Sequence, residues 1–158
     1  MSRFLLAIDP GKLTGMVSVD LSTNQLNSSA EIDSWYSVCN TVENVLSEYP
    51  DTIVVIERFT ISKRTIEKTR QSEPIDIIGA VKYLCLKYQG KEPVQQTATD
   101  AKNFSTNDKL HNAGFWHKGG EGHANDAARH ALLYVARNNL IDAHLLLGEN
   151  SDKVHTDD

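Results

Sequence analysis

Residues 53–56 read Ile-Val-Val-Ile, with no polar residue among them, and the next residue is Glu57. A strand with one wet face alternates, whereas an unbroken β-branched run belongs to a strand covered on both faces, central and parallel in its sheet. Helices must then lie over both sides, and segments of helical spacing stand before and after the run. Val38, Val42, Val45, Leu46 and Tyr49 recur at helical intervals and stop before Pro50. Ile77, Ile78, Val81, Leu84, Cys85 and Tyr88 follow Ser72-Glu73-Pro74, a helix start with proline in its first turn, and Gly90 closes the segment.

A second apolar run, residues 4–8, ends on Asp9-Pro10-Gly11 and reads as a strand and a turn. Residues 15–20 alternate as a half-buried strand does, and a weaker third strand is expected over 30–35, completing an antiparallel meander. Residues 93–97 are the expected last strand. A short helix over about 106–112, capped by Ser105, ends at Gly114; residues 114–122 are glycine-rich and carry Phe115 and Trp116. Residues 123–137 are alanine-rich, with Ala124, Ala127, Ala128, Ala131, Leu132 and Val135 on one face of a helix. Together these predict one α/β domain over residues 1–147, three layers with a mixed central sheet flanked by helices. Residues 148–158 are expected to be an acidic, disordered tail.

The 158 residues suit a single core, and no apolar run approaches the roughly 20 residues that cross a bilayer, so no membrane partner is expected. Cys39 and Cys85 stand alone without CxxC spacing, which places the chain in a reducing cytoplasm. Net charge is −5, but its distribution says more than its sum. Arg58, Lys63, Arg64, Lys68 and Arg70 face only Glu67, a local +4, while Glu149, Asp152, Asp157 and Asp158 face only Lys153. Read alone, the basic stretch is either a solvated helix face or a surface for nucleic acid.

Asp9 and Glu57 each end an apolar strand, and ligands of α/β sheets gather outside the carboxyl ends of strands. Gly11 and Gly15 around Asp9 leave room for close approach of a ligand. His123 and Asp126, at i and i+3, share one helical face, as do Asp126 and His130 at i and i+4. Flanking alanines allow that helix to pack closely on the sheet. Asp9, Glu57, His123 and Asp126 together offer a mostly oxygen donor set suited to hard divalent ions.

These residues resemble a known family. Leu5-Leu6-Ala7-Ile8-Asp9-Pro10-Gly11, continuing to Leu13-Thr14-Gly15, is similar to the opening of the RuvC-type Holliday junction resolvases of the RNase H-like nuclease superfamily. Ile53-Val54-Val55-Ile56-Glu57 is similar to that family's strand with its catalytic glutamate, and Gly79-Ala80 to a like pair in the helix that follows. His123-Ala124-Asn125-Asp126-Ala127-Ala128 is similar to its last motif. The resemblance implies an RNase H-like fold and two Mg2+ or Mn2+ ions, with Asp9 bridging them, Glu57 holding one, and His123 and Asp126 the other. It implies hydrolysis to 5′-phosphate and 3′-hydroxyl ends, Lys102 and Lys109 beside the scissile phosphate, branched DNA as substrate, and a homodimer that presents two sites to a four-way junction. Arg58, Phe59, Lys63, Arg64, Lys68 and Arg70 would then meet DNA. Phe59 stands one position earlier than the family's stacking aromatic and is read either as core or as a wedge. Three alternatives stay open: a flap or fork nuclease, an RNA-directed RNase H-like nuclease, and a DNA-binding module without catalysis. A phosphotransfer ATPase would need paired glycine-rich phosphate loops, which the chain lacks.

Overall fold

The computed structural model describes residues 2–60 and 72–148. Five strands, β1 (Phe4–Asp9), β2 (Thr14–Asp20), β3 (Gln25–Ile32), β4 (Ile53–Glu57) and β5 (Val94–Gln96), form one sheet in the order β3-β2-β1-β4-β5. The first three pair antiparallel as a meander; β4 runs parallel to β1, and β5 parallel to β4. The mixed, centrally parallel sheet expected from the apolar run at 53–56 is therefore the one observed. Six helices occur among the described residues: α1 (Trp35–Glu48), α2 (Glu73–Gln89), α3 (Ala98–Phe104), α4 (Asn107–Asn112), α5 (His123–Arg137) and α6 (Ala143–Leu147). None is long and apolar enough to cross a membrane.

The pleat divides each strand between two cores. Leu6, Ile8, Val54 and Ile56 pack against Val38, Val42 and Leu46 of α1 and Ile77, Val81, Leu84 and Cys85 of α2. Leu5, Ala7, Val17, Val19 and Val55 pack against Ala127, Ala128, Ala131, Leu132 and Val135 of α5. Both cysteines are free, and burial holds the Cys85 thiol at about 11.

The structure corrects the sequence reading in places. The third strand is β3 at Gln25–Ile32, earlier than the expected 30–35. Its side chains are mostly half-buried or exposed, so it lacks an apolar signature, and a register shift at Ser18/Val19 further blurs the pairing. The cap of α4 is Thr106, whose hydroxyl accepts from Lys109 N–H. Ser105 is buried instead, its Oγ donating to Arg129 O at 2.9 Å. Helices α3 and α6 were not expected, although Thr97 and Asp142 cap them as N-cap residues do. The acidic tail at 149–158 lies outside the described residues, as do Lys63, Arg64, Lys68 and Arg70.

Candidate active site

The strand registers bring one residue from each strand into a single row across the sheet. Glu31 pairs with Gly15, and Gly15 with Asp9. Ile8 pairs with Ile56, so Asp9 and Glu57 are the next residues along, and Glu57 pairs with Gln96. Side chains alternate between faces along a strand. Asp9 shares a face with Leu5 and Ala7, and Glu57 with Val55, the face that α5 covers. The sheet therefore aims both carboxylates at the helix that carries His123 and Asp126.

Gly15 determines how close α5 comes. A Cβ there would meet the His123 carbonyl oxygen at 1.8 Å, so the close approach expected for a ligand is made by the helix backbone itself. Glu31, which the sequence reading passed over, holds the start of the same helix. Its carboxylate accepts from the backbone N–H of Glu121 at 2.7 Å, Gly122 at 2.9 Å and Ala124 at 3.2 Å. The N-cap of α5 is Gly122, which has no side chain to cap with, and a carboxylate at a helix N-terminus answers both its free N–H groups and its dipole. These bonds, led by that from Glu121, hold the Glu31 carboxyl below its ordinary value.

Asp9 is 8% exposed. Burial, then the charge of Glu57 and more weakly that of Asp126, push its pKa up to about 7, against the opposing pull of His123. His123 Nδ1 lies 3.2 Å from Asp9 Oδ2. Asp126 receives Lys102 Nζ at 3.2 Å on one oxygen and Arg129 Nε at 3.3 Å on the other. Arg129 also donates to Ser105 O and, at 2.6 Å, to Asn107 Oδ1, tying α4 to α5. Glu57 Oε2 lies 3.1 Å from His130 Nε2.

Asp9, Glu57, His123 and Asp126 thus sit at one sheet edge, with Lys102 joined to them through Asp126. Lys109 is directed elsewhere: its ammonium donates to Phe104 O at 2.9 Å, lies over the Phe104 ring, and lines an apolar pocket with Ile141 and Leu146. Arg58 is exposed and Phe59 half-buried just beyond β4, where the Arg58 N–H donates to Gln96 O at 2.7 Å. Gln96 and His130 were missed as a pair, because nothing in local spacing joins the last strand to the third turn of α5.

Among the described residues, no three His, Cys, Asp or Glu side chains converge on one point as a ready metal cage. The carboxylates are turned to His123, His130, Lys102 and Arg129. The donor set nonetheless fits a divalent ion in its chemistry, since burial and the neighbouring Glu57 charge, which raise Asp9, are what a bound cation would offset.

No family model matches the chain, and no curated protein matches it in sequence. Solved structures do. A Thermus thermophilus RuvC in complex with a Holliday junction substrate is 16% identical, with a TM-score of 0.60 over 87% of this chain and 96% of that one. A second Thermus thermophilus RuvC structure is 16% identical, with a TM-score of 0.58 over 87% of this chain and 97% of the other. The chain has the RNase H-like α/β fold of these RuvC structures.

Proposed function

We propose that the protein is a metal-dependent endonuclease that cleaves branched DNA, with four-way junctions as its main substrate. The observation that carries this reading is the acidic cluster at the carboxyl ends of β1 and β4: Asp9, 8% exposed, has its pKa lifted first by burial, then by the charge of Glu57 and more weakly by that of Asp126. Carboxylates with raised pKa values cluster at functional sites, and a bound cation would relieve both the burial of Asp9 and the charge that Glu57 and Asp126 place on it. Asp9, Glu57, His123 and Asp126 would be the residues that hold the Mg2+ or Mn2+ ions. Such ions, when bound, supply Lewis acidity and a water activated for attack on a phosphodiester.

The remaining work falls to the protein. Glu31 and Gly15 fix the height and start of α5, and so the places of His123 and Asp126. Lys102, whose side chain is 57% exposed, would exchange Asp126 for a phosphate oxygen. Arg129 stays behind on Asp126 and keeps that carboxylate oriented. Arg58 and Phe59 follow directly on β4 and Glu57, and there they would meet DNA. The thermophilic RuvC structure with a bound junction supports a four-way junction as the substrate to try first.

A symmetric junction needs two cuts, and we infer a two-fold homodimer. Its support is the outer surface of α2, which exposes Ile75, Tyr83 and Leu86. The test is a cleavage panel of four-way junction, flap, fork, linear duplex and RNA–DNA hybrid, each with Mg2+, Mn2+ or Ca2+, beside sedimentation at micromolar concentration. Preferential cutting of the junction by a dimer is expected. Preference for flaps by a monomer would move the substrate assignment, and no cutting with any ion would leave a binding module.

A further inference from the structure

His130 lies on α5 two turns beyond His123, is 1% exposed, and touches two residues of the cross-sheet row. Its Nε2 is 3.1 Å from Glu57 Oε2. Its Nδ1 is 3.1 Å from the amide oxygen of Gln96, itself 5% exposed. An ionised carboxylate only accepts, so Nε2 carries a hydrogen toward Glu57. Nδ1 then donates to the Gln96 oxygen from an imidazolium, or, in a neutral ring, accepts from the Gln96 amide nitrogen once that amide is turned over. Both arrangements put the same N–H on the same Glu57 oxygen.

Glu57 has three side-chain torsions, and its side chain is 22% exposed. Left alone, it would sample several rotamers, and binding an ion would cost the entropy of ordering them. We propose that His130 is a positioning residue that claims Oε2 of Glu57 and leaves Oε1 as the oxygen offered to a divalent ion. Gln96 orients the ring from its other side, so the ion's ligand is set by a chain of contacts from two buried residues, Gln96 and His130, to Glu57. This inference rests on the reading of Glu57 as a metal ligand. Partners behind a ligand that fix its orientation typically carry roughly 10–100-fold in metal affinity.

The test is Mn2+ titration of the full chain, followed by the electron paramagnetic resonance of free Mn2+, with thermal unfolding measured alongside without divalent ions. Glutamine at residue 130 can place an amide N–H where Nε2 stands, whereas leucine fills similar space without a donor. His130→Leu is expected to weaken Mn2+ binding by roughly tenfold or more, and His130→Gln to recover most of that loss. A side chain that only filled space would give the opposite order, with leucine nearer the wild type than glutamine. A folded His130→Leu that binds Mn2+ like the wild type overturns the positioning role alone. A wild type that binds no Mn2+ overturns the metal site itself. Should His130→Leu fail to fold, Gln96→Met serves in its place: weaker Mn2+ binding supports the chain of contacts, and unchanged binding overturns it.

Discussion

Gly15 of β2 lies directly under the first turn of α5, so that a Cβ at residue 15 would sit 1.8 Å from the carbonyl oxygen of His123 and 2.7 Å from the backbone nitrogen of Ala124. Both atoms are backbone, and Glu31 pins the same turn from β3 through Glu121, Gly122 and Ala124. The helix cannot yield locally, so an added methyl must lift its start as a body. Gly15→Ala is expected to destabilise the protein by about 1–3 kcal/mol, the usual cost of overpacking. It is also expected to weaken Mn2+ binding, because His123 and Asp126 move away from Asp9 and Glu57. Thermal unfolding and Mn2+ titration of the variant check both. Native stability in Gly15→Ala would mean that α5 does not rest on β2 at this point.

Asp9 gives the pH dependence. Its pKa in the folded chain is about 7 against 3.8 unperturbed, so the folded state holds the proton more tightly than the unfolded one. The stability from that proton is fully present below about 3.8 and is lost as pH rises through about 7. Each pH unit between these values is worth about 1.4 kcal/mol. Without divalent ions, Asp9→Asn should therefore melt above the wild type at pH 8, with the gap closing toward pH 4. Added Mn2+ should reverse the order by raising the melting temperature of the wild type alone. Equal melting temperatures at pH 8 would show that ionised Asp9 does not bear the cost of burial beside Glu57 that this prediction requires.

The legible parts of this site were those written in local pattern. The run at 53–56 reads as a central strand and the run at 4–8 as a strand, and each stops at its carboxylate; the alanine-rich stretch gave α5 its observed bounds. The residues that complete the site depend on strand register, which no window of sequence contains. Glu31 stands on a strand with little apolar signal, and its role appears only once Glu31 is paired with Gly15. His130 was noted for sharing a face with Asp126, but its partners Glu57 and Gln96 are 73 and 34 residues away. Gly15 was read as room for a ligand because a glycine beside an aspartate signals close approach without saying of what.

The two lysines paired by resemblance are separated by their contacts, and this yields a contrast. Lys102 pairs with Asp126 at 3.2 Å and is largely exposed, so its ion pair contributes at most about 1 kcal/mol to stability. Lys102→Ala should leave the melting temperature nearly unchanged and slow junction cleavage at saturating metal. Lys109 is anchored to Phe104 O and to the Phe104 ring. Lys109→Ala should lower the melting temperature slightly and leave cleavage near that of the wild type. A matched panel of unfolding curves and single-turnover cleavage rates separates the two, and equal loss of cleavage in both variants would return Lys109 to the phosphate.

In the proposed site, His123 would decide the choice of metal. Its Nδ1 stands 3.2 Å from Asp9 Oδ2, and an imidazole there contributes one nitrogen donor and one negative charge fewer than a carboxylate would. Mg2+ holds its water tightly and prefers oxygen, whereas Mn2+ accepts nitrogen more readily. Cleavage is therefore expected to be faster with Mn2+ than with Mg2+. His123→Asp should shift the preference toward Mg2+, and because it adds a fourth carboxylate beside Asp9, Glu57 and Asp126, it should also lower the melting temperature of the ion-free protein. His123→Ala should lose most activity with either ion. The competing account is that His123 only orients Asp9, with Asp126 alone completing the site. Initial rates across both metals distinguish them: full activity of His123→Ala with Mg2+ and with Mn2+ would remove His123 from the ligand set and leave Asp9, Glu57 and Asp126 to hold the ions.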